Sequence, residues 1–153
     1  MHKGCPGSKM RDFSKKEEKV KEDGKRVSHL SQWPVQMHLV SPEAPYFQGA
    51  DLVLSADCVA YALADFHKDY LKDKSLGIAC PKLDQGQDIY IDKIKSLIDD
   101  AEINTLTVMI MQVPCCRGLL SMVKQALNKA DRKVPVKSVV VSIEGEVLSE
   151  DWI

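Results

Sequence analysis

Thiols are the side chains with the most chemical scope in this chain, and their spacing says more than their number. Cysteine occupies positions 5, 58, 80, 115 and 116. Cys58 comes two residues after the apolar run ending at Ala56. Cys80 closes the run Ser75-Leu76-Gly77-Ile78-Ala79 and precedes Pro81. Cys115 and Cys116 follow Pro114, just behind the run ending at Met111. The thiolate is the metal ligand, and four thiolates close a tetrahedral zinc or iron–sulfur site. Cys58, Cys80 and Cys115 are therefore candidate metal ligands, with Cys5 or Cys116 as the fourth. Adjacent cysteines rarely both ligate one ion, which favours Cys115 over Cys116. A free cysteine also packs well as a small hydrophobe, so any one of these can be inert. Four at three equivalent positions are harder to explain as packing. No Cys-x-x-Cys occurs, so neither a ferredoxin nor a zinc-ribbon spacing is present.

Several other residues belong to the same neighbourhood. Lys82 and Asp84 follow Cys80, and Arg117 follows the paired cysteines; Lys82 and Arg117 are candidate cofactor or anion contacts, against the plainer reading of solvated loop charges. The vicinal pair Cys115/Cys116 at a helix start suggests a second chemistry, a thiol oxidoreductase in which one sulfur attacks and the other resolves, because free backbone N–H groups there favour thiolate. A third reading is a non-catalytic interaction domain with a structural zinc. His67 follows Cys58 by nine residues, about 13 Å along a helix axis, too far for a shared ligand set. It reads as a surface histidine, and His38, inside an expected strand, as a satisfied core residue. The loop Gly4-Cys5-Pro6-Gly7 can fold over the site or remain a loose terminus.

The elements that must position these residues follow from periodicity. Strands are expected over 35–40, 51–56, 75–80, 105–111 and 136–143, with helices over 59–71, 89–101 and 117–130. On the first helix Val59, Ala62, Leu63, Phe66 and Tyr70 form one apolar stripe. The turn Glu144-Gly145-Glu146 precedes a short tail. Strands alternating with helices imply right-handed βαβ units. The expected fold class is α/β: three-layer, doubly wound, a mostly parallel sheet of about five strands with helices on both faces. The three cysteine-bearing junctions then all lie at the carboxyl ends of parallel strands, the edge where open α/β sheets hold ligands. Residues 1–32 form a charged N-terminal arm, with an exposed helix opened by Ser14 and ended by Gly24, and residues 33–153 the α/β domain.

The chain of 153 residues suffices for one core without staples. Apolar residues make up 44% and charged residues 28%, with a net charge of -1, which gives no reason to expect nucleic acid or an anionic membrane as partner. No signal peptide and no bilayer-spanning run is evident, so a cytoplasmic location with reduced thiols is expected. The motifs G-x-G-x-x-G, G-x-S-x-G, H-E-x-x-H and the P-loop are missing, which disfavours a nucleotide-binding enzyme on this sheet.

The segments Gly4-Cys5-Pro6-Gly7-Ser8, Ala56-Asp57-Cys58-Val59, Ala64-Asp65-Phe66-His67, Cys80-Pro81-Lys82-Leu83-Asp84 and Val113-Pro114-Cys115-Cys116-Arg117-Gly118-Leu119 together resemble the C-terminal region of uncharacterised ferredoxin-like iron–sulfur proteins of anaerobic bacteria and archaea. The resemblance covers nearly the whole chain. It implies an iron–sulfur cluster or zinc as cofactor, an electron-transfer or oxidoreductase role, and a ferredoxin-like redox partner. The short four-cysteine module that usually precedes this region in that group is not part of this sequence.

Overall fold

The computed structural model describes residues 10–12 and 24–153. Two short strands, β1 (Arg11–Asp12) and β2 (Gln32–Trp33), pair antiparallel ahead of the main sheet. That sheet is built from β3 (Asp51–Ala56), β4 (Ser75–Ala79), β5 (Thr105–Met111), β6 (Val136–Val141) and β7 (Val147–Trp152), in spatial order β4-β3-β5-β6-β7. The first four are parallel and β7 is antiparallel to β6. The architecture is therefore the expected α/β one. Leu52 to Ala56 and Leu106 to Met111 are buried throughout, as continuous apolar runs require when both faces of a strand are covered.

The connections are α1 (Val59–Ala62), α2 (Gln87–Asp99) and α3 (Arg117–Lys129). From β3 the chain moves outward to β4, then crosses back over β3 to β5. Right-handed crossovers place α1 on one face and α2 and α3 on the other, where these two pack together. Tyr90, Ile91, Ile94, Leu97 and Ile98 form the buried stripe of α2; Leu119, Met122, Val123 and Ala126 form that of α3. Between β3 and β5 the direction of winding reverses, the kind of switch point at whose carboxyl edge open α/β sheets hold ligands.

Three expectations are corrected. Residues 35–40 are not a strand: the segment makes one parallel bridge, Gln36 opposite Ile78, and then turns. The turn forms because Gln36 binds its own neighbours, its carbonyl accepting from the N–H groups of Leu39 and Val40 and its side-chain oxygen from that of His38 at 2.6 Å. The fifth strand is instead β7, in the segment read as a tail. Its residues are largely exposed, apolar and polar alike, and pairing with β6 holds it in place.

The helix expected over 59–71 is also broken. It stops at Leu63, which adopts extended geometry, and the chain resumes as a π-type turn at His67–Leu71. Val59, Leu63, Phe66 and Tyr70 nevertheless point inward as their spacing requires. The break coincides with the β6–β7 hairpin. Gly145, at φ 89°, lies so close to Ala62 that a Cβ there would run into its carbonyl oxygen, the acceptor a continuing helix would need for Phe66. The N–H of Phe66 bonds to Leu63 instead.

The segment before the sheet closes one of its edges. The buried amide of Gln32 donates to the Leu76 carbonyl and accepts from the Leu76 N–H, both at 2.8 Å. Two residues along β4, Ile78 exchanges backbone bonds with Val35 and Met37. Together these satisfy the outer side of β4, which would otherwise template association. Among the described residues no helix is long and apolar enough to cross a membrane.

Candidate functional site at the carboxyl edge

The register of the sheet brings three junctions level. Ala56 pairs with Ala79, and the N–H of Asp57 donates to the Ala79 carbonyl at 3.1 Å, so β3 and β4 end together. On the other side Ser55 pairs with Met109, which sets Met111 level with Asp57. Cys58, Cys80 and the Cys115–Cys116 pair all lie immediately beyond these strand ends. Cys58 sits at the N-cap of α1 and is exposed; Cys115, in the tight turn Pro114–Cys116 that leads into α3, is exposed as well. Cys80 is half-buried and Cys116 is buried in the core. The two exposed thiols thus come from the two strands that flank the switch point.

The environment of Cys116 departs from the sequence expectation. Burial pushes its thiol pKa up; a backbone hydrogen bond from Met111 opposes this, while the neighbouring Cys115 and then Cys58 add to the rise. Helix-start N–H groups do not prevail over desolvation here. Cys116 is held as a neutral thiol, which weighs against the vicinal-pair enzyme reading and leaves Cys58 and Cys115 as the accessible sulfurs.

Cys80 is locked into its own turn. Its sulfur accepts from the Leu83 N–H at 3.4 Å, its N–H donates to an Asp84 carboxylate oxygen at 2.9 Å, and the Asp84 N–H returns to the Cys80 carbonyl. Pro81 is buried against Gly118, where a Cβ would approach the proline ring to 3.0 Å. The missing side chain at 118 is what lets the loop after β4 close on the start of α3.

A polar network that the cysteine pattern did not disclose lies beside Cys80. One Asp84 carboxylate oxygen accepts from the Tyr90 hydroxyl at 2.5 Å and from Gln36 Nε2 at 3.0 Å, in addition to Cys80 N–H. Gln36 Nε2 also lies 2.9 Å from the Tyr90 oxygen. Burial and the bond to Asp84 raise the Tyr90 hydroxyl well above its ordinary range. Asp57, one residue before Cys58, is half-buried, and its Oδ1 has no hydrogen-bond partner among the described residues. Burial, then the charge of Asp84, raises its carboxyl pKa. A local signal for Asp57 exists, a carboxylate at the end of a buried strand. None exists for Gln36, which lies 48 residues from Asp84 and 54 from Tyr90 along the chain.

Lys82 and Arg117 are exposed on the rim. His38 is not a core residue: it is exposed, its ring lies 4.4 Å from that of Tyr90, and its Nε2 is 2.6 Å from the Gln85 carbonyl. His67 lies on the surface, where its Nδ1 accepts from the His29 N–H at 3.0 Å. Cys5 and the expected arm helix lie outside the described residues. Among the described residues no three His, Cys, Asp or Glu side chains are grouped to hold a metal ion. The exposed thiols at this edge are those of Cys58 and Cys115.

Residues 44–152 match the family described as Rossmann-like domain. An uncharacterised protein of Archaeoglobus fulgidus is 30% identical over 121 residues, which cover 79% of this chain and 84% of that relative. No solved structure matches the chain. The mostly parallel sheet and its switch point agree with the family match.

Proposed function

The chain belongs to the Rossmann-like domain family, and from that premise we propose that it is a thiolate-ligated metal or iron–sulfur module serving electron transfer. The observation that carries this reading is the pair of exposed thiols, Cys58 and Cys115, on the two strands flanking the switch point. Soft thiolates select zinc or iron–sulfur centres over hard cations, and a bound cluster would supply one-electron chemistry. Cys58 and Cys115 are the primary ligands; the remaining ligands come from Cys80, Cys116 or Cys5 of the same chain or from thiols of a second chain. The Leu83 N–H on Cys80 and the Met111 hydrogen bond on Cys116 are of the kind that tunes a sulfur-ligated centre. Lys82 and Arg117 offset the negative charge that four thiolates bring. The partner under this reading is a ferredoxin-like redox protein.

The test is metal and acid-labile sulfide analysis of protein purified without oxygen, with its visible absorption spectrum. Iron with sulfide and a brown colour is the expected outcome; zinc alone assigns a structural centre. A preparation that carries neither metal and takes up neither on reconstitution sinks the reading.

A further inference from the structure

The carboxyl edge presents a surface that is incomplete in one chain and self-complementary between two. Among the described residues no three ligating side chains converge, yet Cys58 and Cys115 stand exposed at the middle of the edge. Along that edge the loops follow the strand order β4, β3, β5, β6. The loop after β4 carries Lys82 and Leu83, both exposed, Leu83 to 77%. The hairpin after β6 carries Ile143, 68% exposed, with Glu144 and Glu146, also exposed. Strands are spaced by about 4.8 Å, so these two flanking loops lie three spacings, roughly 14 Å, apart with the thiols between them. Tyr61, on the helix that begins after Cys58, is 94% exposed.

Contacts between the loops make this one surface rather than separate patches. Gly145 of the hairpin abuts Ala62 of α1, and the Ile143 N–H donates to the Gln112 side chain beyond β5 at 2.9 Å. Pro81 seats on Gly118 on the other flank. One flank therefore presents Leu83 and the exposed Lys82 ammonium, with the Asp84 carboxylate tied up beneath them. The other presents Ile143 and two exposed carboxylates, and the midpoint holds two exposed thiols.

We propose that two copies of this chain bind one metal centre between their carboxyl edges, with Cys58 and Cys115 contributed by each. The inference rests on the thiolate–metal reading above and adds the source of the missing ligands. A two-fold axis through the midpoint sets Leu83 against the second copy's Ile143, and Lys82 opposite its Glu144 and Glu146. The same rotation brings two thiols up to two thiols, which completes a tetrahedral set. Opposite charges across the contact fix the orientation, since the alternative face-to-face arrangement puts like charges together.

The probe is cobalt(II), titrated into reduced full-length protein without oxygen, with the absorption of tetrahedral thiolate–cobalt and sedimentation read in parallel. The expected result is one cobalt per two chains, with dimer formed as cobalt is added. Lys82→Glu should weaken the cobalt-loaded dimer about tenfold or more, through like-charge contact. Adding Glu144→Lys and Glu146→Lys to Lys82→Glu should restore it, an effect that a merely structural role for Lys82 would not give. One cobalt per chain in a monomer overturns the shared site while the metal reading stands. A chain that binds no cobalt at any protein concentration overturns both. A dimer indifferent to cobalt and to Lys82→Glu overturns the shared site.

Discussion

Individual carboxylates at the two ends of the sheet are held differently. At the amino end Asp51 and Asp99 are both satisfied. Asp51 Oδ1 accepts from Asn104 Nδ2 at 2.8 Å and from the Thr105 hydroxyl at 2.7 Å. Asp99 accepts from the backbone N–H groups of Asp131 and Arg132, and from Lys95 at 2.7 Å. Those donors, the Arg132 N–H first, hold the Asp99 carboxyl down to about 2. Arg132 itself reaches the carbonyls of Ile98 and Ile103. At the carboxyl end Asp57 keeps a buried oxygen without a partner among the described residues and a raised pKa, beside exposed thiols. Satisfied carboxylates stabilise a fold, whereas a buried oxygen without a partner costs stability. Asp51 and Asp99 join the layers at one end; Asp57 keeps an unmatched oxygen at the other.

The largest expected effect lies at the carboxyl end. Cys115→Ser should abolish metal binding, because hydroxyl is a poor ligand for a thiolate-preferring centre. Cys116→Ser should leave partial occupancy, since that sulfur is buried and held as a thiol. Metal analysis of both variants checks this, and equal, complete loss in each would make the pair a single unit.

At the amino end the readout is stability rather than metal. Asp99→Asn removes the charge that gathers the loop after α3, and should lower the thermal midpoint by several degrees without changing metal content. The folded-state pKa is depressed, so this contribution is full above the ordinary carboxylate range near 4. It is lost as pH falls toward about 2. Thermal melts of both proteins from pH 7 to 2 should therefore converge at the acid end. A constant gap across that range would show that Asp99 acts by packing alone.

How much of this contrast was legible in the sequence depends on distance along the chain. β3 and β5 were legible because Leu52-Val53-Leu54 and Val108-Met109-Ile110 are unbroken apolar runs. β7 was not, because Leu148-Ser149-Glu150-Asp151 gains strand geometry only from pairing with β6 and from the Tyr70–Glu150 and Lys137–Glu150 contacts. Gln36 misled because alternating apolar residues conceal a side chain that binds its own backbone. The cysteine positions at the edge were legible by counting past strand ends. The joining of Gln36 to the Asp84–Tyr90 pair was not, since no local pattern reports contacts 48 and 54 residues apart.

Asp57 tests the other half of the comparison, with a smaller effect of opposite sign. Its raised pKa means that the folded state prefers the neutral carboxyl. The associated stability is present at pH below the unfolded value and is lost as pH rises through the folded one. At pH 7 the buried carboxylate is therefore a net cost, and Asp57→Asn should raise the thermal midpoint slightly. At pH 4 the gain should shrink. A loss of stability at pH 7 would mean that the unmatched oxygen has a partner in solution.

The smallest effect is expected where the two loops of the site touch. Gly118 gives Pro81 room at the start of α3, and a Cβ there would come to 3.0 Å of the proline. Gly118→Ala therefore adds helix propensity worth about 1 kcal/mol. It also asks the Cys80–Asp84 turn to give way by a few tenths of an ångström. That turn is braced by Asp84, whose carboxylate holds the Cys80 N–H, Tyr90 and Gln36 together, and by Gln87, which donates to the Pro81 carbonyl at 2.6 Å. A braced turn yields little, so overpacking of similar size offsets the propensity gain and the thermal midpoint should stay within a few degrees. The reactivity of Cys80 should change more than the stability. Shifting the turn loosens the Leu83 N–H from its sulfur, and thiol labelling at Cys80 should quicken while Cys58 and Cys115 label as before. Labelling unchanged at all three sulfurs would show that the Pro81–Gly118 contact does not position Cys80.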